Sequence, residues 1–187
     1  MTITFLKPAP AVELSGRQVW PVYNEVFHDQ PDESTWLEQT WEKHARRGGF
    51  VCWLAHQNGA AVGFAWGYLG QPGQLWSDAL KDSLDTDTYA RWVGGHFEIV
   101  SLGVSPRARR HGVARGLLHH LYASTTAERL LLQTTDDASD GARILYADEG
   151  WQVLGPGVVE CTVVMGRLLA PRPTGDEARA LSPRWVD

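Results

Sequence analysis

The sequence predicts one mixed α/β domain, and three observations carry that prediction. Two helical stretches precede an Asn58-Gly59 turn flanked by apolar runs. Such a turn marks an antiparallel hairpin, because Asn-Gly accepts the positive φ of a type I′ turn. A strand-to-helix passage follows at residues 97–118, FEIVSLGVSPRARRHGVARGLL, and beyond it the pattern runs strand, helix, strand, strand. Antiparallel and parallel pairings are therefore expected in one sheet.

Thr2 to Lys7 alternates apolar and polar residues and reads as a short first strand. Val19, Val22, Tyr23, Val26 and Phe27 recur at helical spacing, with Pro21 either in the first turn of that helix or inside a longer one. A second helix is capped by Asp32 or Ser34, buries Trp36, Leu37, Thr40 and Trp41, and stops at Gly48-Gly49. Phe50 to His56 and Ala60 to Leu69 form the hairpin. The connection from 70 to 95 is long, with short helices at Ser77 to Leu84 and Thr88 to Trp92, and connections of that length are commonly functional. Strands at Arg129 to Thr134, Trp151 to Leu154 and Val158 to Leu168, and a helix at Ser139 to Asp148, complete a domain over 1–170, and a proline-containing tail occupies 171–187.

The chemistry concentrates in the central passage. Ile99, Val100, Leu102 and Val104 form a strand that Ser105-Pro106 closes, and a helix begins after Gly112. Small residues there let the backbone approach a ligand, and the first helical amides have no partner within the helix. Arg107, Arg109, Arg110 and Arg115 add donors suited to phosphate oxygens, so the natural guest is a diphosphate. The spacing fits neither a P-loop nor a dinucleotide fingerprint.

A net charge of -5 and the local placement of these arginines exclude a nucleic-acid partner held by general attraction. No apolar run reaches the roughly 20 residues that span a bilayer, so no membrane partner is expected. Cys52 and Cys161, each in a predicted strand, show no metal-ligand spacing, and His111, His119 and His120 show none either. No metal is expected, and a reduced, cytoplasmic setting fits. Nine tryptophans, most of them before Phe97, point to an aromatic-lined cleft as well as core. Ser101, Ser124 and Ser139 lack a nucleophile-elbow context, which argues against a covalent serine mechanism.

The pattern Leu102-x-Val104-x-Pro106 followed by Arg109-x-x-Gly112-x-Ala114 resembles the acetyl-CoA loop of the GCN5-related N-acetyltransferases (GNAT). A second stretch, Ser139-x-x-Ala142-x-x-Leu145-Tyr146-x-x-x-Gly150-Trp151, resembles the signature of that family's last helix, with Ser139 where relatives typically carry asparagine. The resemblance implies the GNAT acyltransferase fold: a central mixed, mostly antiparallel sheet flanked by helices. It also implies acetyl-CoA as co-substrate, with the backbone of Leu102, Gly103 and Val104 against the pantetheine arm. The diphosphate would lie on Arg109, Arg110, His111, Gly112, Val113, Ala114 and Arg115, with Ser139 near the arm.

Two further roles follow from the resemblance. Glu98, eleven positions before Arg109, matches the glutamate that takes the amine proton directly or through water; Phe97, Ile99 and the tryptophans would raise its basicity by desolvation. His96 is the nearest substitute base. Tyr146 matches the tyrosine that protonates the departing sulfur. The expected reaction is acetyl transfer to a primary amine of a small molecule or protein by direct attack in a ternary complex. A non-catalytic acyl-CoA sensor and another acyl donor stay open, as do monomer and homodimer. Asp78, Asp82, Asp85 and Asp87, lying among Trp76, Tyr89 and Trp92, form an acidic and aromatic segment expected to select cationic amines at the acceptor entrance.

Overall fold

The computed structural model describes residues 2–8 and 12–170, so the tail expected at 171–187 lies outside the described residues. Seven strands form one sheet in the order β1-β2-β3-β4-β5-β7-β6. They are β1 Thr4–Leu6, β2 Val51–Gln57, β3 Ala60–Gly70, β4 His96–Val104, β5 Arg129–Thr135, β6 Gln152–Pro156 and β7 Thr162–Leu168. Every pairing is antiparallel except that of β4 with β5. The helices are α1 Val12–Phe27, α2 Glu33–Trp36, α3 Glu42–Ala45, α4 Leu75–Ser83, α5 Thr86–Trp92, α6 Val113–Ser124 and α7 Gly141–Asp148.

Alternation along the strands divides the core between the two sheet faces. Ala65, Phe97, Ile99, Leu130 and Leu132 pack with Val113, Leu117, Leu118 and Leu121 of α6 and with Tyr146 of α7. On the opposite face, Phe64 and Trp66 pack with Val19, Val22 and Tyr23 of α1 and with Trp36 and Trp41. Beside that cluster, Leu131 and Val164 meet Leu80, Leu84 and Trp92 of the α4–α5 segment. Glu98, between Phe97 and Ile99, thereby faces the side that carries α1 to α5.

Pro21 lies inside the 16-residue α1, the second of the two positions the sequence allows. Asp32 caps α2 by accepting from the Thr35 amide at 2.8 Å. A π-helical turn, Leu37–Trp41, joins α2 to α3. Its i to i+5 geometry brings Trp36 and Trp41 together, ring centroids 5.4 Å apart and stacked. Trp66 meets Trp41 edge-on at 5.4 Å. Aromatic pairs of this kind contribute about 0.5–1.5 kcal/mol each beyond their buried area.

One strand expectation is corrected. Cys161, expected inside a strand starting at Val158, is exposed in a turn with φ 58°, and β7 starts at Thr162. The Gly157 amide donates to the Thr162 carbonyl at 2.8 Å, which closes a loop out of residues whose valine content reads as strand. Cys52 lies buried in β2 as expected.

Candidate active site

The site begins where β4 leaves its neighbours. Against β3, Trp66 pairs with Ser101 and Gly67 with Ile99, so Val100 is an extra residue and β4 carries a bulge there. Against β5, only Phe97 with Leu130 and Glu98 with Leu131 are paired. Beyond Glu98 the two strands open into a wedge, and one edge of β4 has no strand beside it among the described residues. The Ser105 amide donates to the Val62 carbonyl at 2.9 Å. By the alternation of an antiparallel ladder, the amide of Gly103 also faces β3, whereas those of Leu102 and Val104 face the wedge.

Below the wedge, a 3-10 turn at Pro106–Ala108 leads into α6. Arg110 has φ 65° and Gly112, the N-cap of α6, has φ 74°, so the chain turns through left-handed geometry twice in three residues. A Cβ on Gly112 would meet nothing within 4 Å, which leaves open space over the loop. The first amide to donate within α6 is that of Gly116, to the Gly112 carbonyl, and the amides before it point out of the helix end. A cavity of about 390 Å³ lies here, between the loop of Arg109 to Arg115 and the α7 residues Gly141, Ile144, Leu145 and Asp148. Exposed amides, the positive helix end and arginines suit a diphosphate.

A second cavity, of about 350 Å³, lies at Glu98 and is lined by His44, Arg47, Tyr68, Gln74, Leu75, Trp76, Ile99, Val100 and Gln133. Tyr68 Oη donates to Glu98 Oε1 at 3.2 Å, while Glu98 Oε2 is buried without a partner among the described residues. Burial pushes the Glu98 carboxyl up to about 7, with the Tyr68 hydrogen bond and the Arg47 charge opposing the shift. The Arg47 guanidinium lies over the Tyr68 ring, 4.8 Å from its centroid. Burial, with Arg47 and Lys43 nearby, pushes His44 down to about 4, so it is neutral at physiological pH.

Residues 17–151 match the model of the acetyltransferase (GNAT) family. The chain belongs to that family. Over 91 residues it is 30% identical to the GCN5-like protein acetyltransferase Rv2170 of Mycobacterium tuberculosis, a match covering 46% of this chain and 44% of that protein. The match therefore spans less than half the length of that curated relative. The fold is similar to that of the ribosomal-protein-S18-alanine N-acetyltransferase of Escherichia coli, with a TM-score of 0.61 and 15% identity over 93% of this chain and 98% of that one. It is also similar to the PaiA N-acetyltransferase of Thermoplasma acidophilum, solved in complex with coenzyme A (TM-score 0.58, 11% identity, 90% and 100% covered). Arabidopsis thaliana NAA60, solved with a bisubstrate analogue, gives a TM-score of 0.59 at 15% identity over 90% and 100% of the two chains.

Within this GNAT domain, the residues singled out in the sequence fall into separate groups. Arg109, Arg110, Gly112, Val113, Ala114, Arg115 and Val104 line the cavity at the α6 N-terminus. Arg109 Nε donates to the Val104 carbonyl at 3.2 Å, and Arg115 is held by Glu149 at 2.7 Å and Asp148 at 3.3 Å. Leu102 packs against the α6-side core, and His111 is exposed. Ser139 Oγ donates to Asp137 at 2.7 Å in the turn before α7. Tyr146 is buried with Trp151, their rings 5.8 Å apart, and lines neither cavity. Burial raises its phenol above the ordinary range, which keeps the proton on. His96 is fully buried, accepts from the Gly94 amide at 3.1 Å, and lines neither cavity.

The acidic segment reaches the cavity at Glu98 through Leu75 and Trp76, but its aspartates do not, which corrects the expectation that its acidic face lines an entrance there. Asp78 accepts from the Gly73 amide at 2.8 Å, Asp85 caps α5, and none of Asp78, Asp82, Asp85 and Asp87 lines the cavity at Glu98. Local hydrogen bonding explains the placement of two of them: Asp78 and Asp85 complement amides of their own segment. Of the tryptophans among the described residues, Trp76 alone lines that cavity, while Trp36, Trp41 and Trp66 build core. The sequence reading missed Tyr68, Arg47 and His44. Phe64, Trp66 and Tyr68 alternate along β3 and signal a shared face, but placing Tyr68 opposite Glu98 requires the β3–β4 register, which no local turn fixes.

Proposed function

We propose that this chain transfers an acetyl group from acetyl-CoA to a primary amine by direct attack within a ternary complex. Family membership supports acyl transfer, and the PaiA likeness, carrying coenzyme A, supports the donor. The residues fit that donor: open space over Gly112 and the outward amides of α6 suit the diphosphate, and the outward amides of Leu102 and Val104 suit the pantetheine arm. Bound acetyl-CoA supplies an activated acyl group as a thioester. The free thiols Cys52 and Cys161 agree with a cytoplasmic setting.

The observation that carries the reading is Glu98, a buried carboxyl lifted to about 7 and with an unpartnered Oε2 in a cavity at the wedge. Glu98 Oε2 takes the proton that the amine sheds as its lone pair forms the new amide bond. The Leu102 and Val104 amides offer donors where carbonyl charge develops. The proton for the departing sulfur is assigned to Tyr146 on the resemblance alone: its phenol stays protonated, and because it lies in the core off both cavity walls, Tyr146→Phe is the variant that decides the role. The test is acceptor-dependent thiol release over a broad amine panel, with Tyr146→Phe compared at equal CoA affinity and expected to slow release by roughly 10- to 10⁴-fold. Binding of acetyl-CoA with no release for any acceptor would replace this reading by that of a sensor.

A further inference from the structure

The cavity at Glu98 holds a cation, Arg47, that feels the Glu98 charge but makes no ion pair with it or with any other carboxylate among the described residues. Among the described residues, the Arg47 side chain has no hydrogen bond or ion pair, and its Nε is buried and unpartnered. Its guanidinium lies over the ring of Tyr68, the residue that bonds Glu98. His44 is neutral, so Arg47 and Glu98 are the two groups that set the charge of the lining. The buried Nε is a donor left unfilled, and a planar carboxylate matches the fork of a guanidinium.

Size and wall chemistry narrow the ligand further. A volume of about 350 Å³ is at the small end of ligand sites. Leu75, Trp76 and Val100 give it an apolar side. We propose that the acceptor is a free amino acid or close analogue, carrying a carboxylate beside its primary amine and an apolar side chain. Arg47 holds the carboxylate, the amine lies toward Glu98, and the side chain packs toward Trp76. This assignment rests on the acetyl-transfer reading for its amine, and on Arg47 for the carboxylate.

The test is calorimetric titration of the full chain, loaded with coenzyme A, using phenylalanine, phenylalaninamide and phenethylamine, and in parallel leucine and 3-methylbutylamine. The carboxylate-bearing probes are expected to bind roughly 10- to 100-fold more tightly than their uncharged-tail counterparts, the range for a charge-assisted pair. Arg47→Gln should bring that ratio close to one, and Arg47→Lys, which keeps the charge without the fork, should retain part of it. Either variant is checked for normal melting, so the lysine variant serves if the glutamine variant does not fold. Equal affinities, a preference for the amines, or no binding by any probe at millimolar concentration would overturn the assignment. Acetyl transfer to the same probes is read separately: selective binding without transfer overturns the acetyl-transfer reading and leaves the amino acid as the ligand of this cavity.

Discussion

Tyr68 and Glu98 stand opposite each other on β3 and β4, and the phenol donates to the buried carboxylate across 3.2 Å. The hydrogen bond opposes desolvation, favouring the ionised carboxylate that a base needs, while burial keeps that carboxylate basic. Tyr68→Phe removes the opposing contribution and leaves the burial. The midpoint of its pH–rate profile should move alkaline, with turnover at pH 7 falling several-fold and recovering at higher pH. Kinetics from pH 6 to 9 check this; a uniform loss at every pH would mean that Tyr68 acts on position and not on basicity.

Glu98 also leaves a signature in stability. Its folded value near 7 exceeds the ordinary 4.5, so between those values the folded protein holds a proton that the unfolded chain has released. Stability from this group is therefore fully present below about 4.5 and declines as pH rises to about 7, by about 2 to 4 kcal/mol in all. Glu98→Gln keeps an acceptor for Tyr68 without the buried charge. The variant should melt higher than the parent at pH 8, match it near pH 5, and lose turnover by roughly 10²- to 10⁴-fold. Melting curves that differ equally at both values would show that Glu98 does not titrate in the fold.

What was legible in the sequence was local. Asn58-Gly59 placed the hairpin within a residue of β2 and β3, because the turn chemistry itself dictates the pairing. The strand, proline and small-residue loop marked the turn where the cavity at the start of α6 lies, since backbone conformation and unpaired helix amides follow from neighbouring residues. The cavity at Glu98 draws on α3, β3, the start of α4, β4 and β5, which meet only through the sheet register and the bulge at Val100. Arg47 in particular sits just after a helix, where a basic residue reads as an ordinary C-terminal charge. The aspartates misled because acidic side chains near aromatic ones describe capped surface helices as well as they describe a cation entrance.

Gly112 separates backbone strain from ligand recognition. Its φ of 74° costs any residue with a Cβ about 1 kcal/mol, yet the space above it is open. Gly112→Ala should therefore lower stability by about 1 kcal/mol while retaining most coenzyme A affinity. Gly112→Glu adds a longer side chain and a negative charge where the diphosphate is expected, and should abolish measurable binding. Calorimetry on both variants, with melting as control, checks the pair; unchanged affinity in Gly112→Glu would remove this loop from the donor site.

Gly67 has no side chain because the bulge leaves it no room. A Cβ there would overlap the Glu98 carbonyl oxygen and press on the Phe97 ring. Phe97 is 1% exposed and packs in the α6-side core, so the ring cannot retreat without disturbing that core. The carbonyl belongs to the strand that bears the proposed base, so relief by backbone movement shifts Glu98 away from Tyr68. Gly67→Ala should accordingly cost about 1–3 kcal/mol, the range for overpacking a close-packed interior. Its effect on function should be one-sided, because the proposed coenzyme A loop at Gly112 to Arg115 lies beyond the far end of β4. Coenzyme A affinity should hold within about twofold while turnover falls by roughly tenfold or more, as a misplaced base predicts. If turnover per folded molecule matches the parent, the bulge does not position Glu98, and its role is confined to closing the sheet.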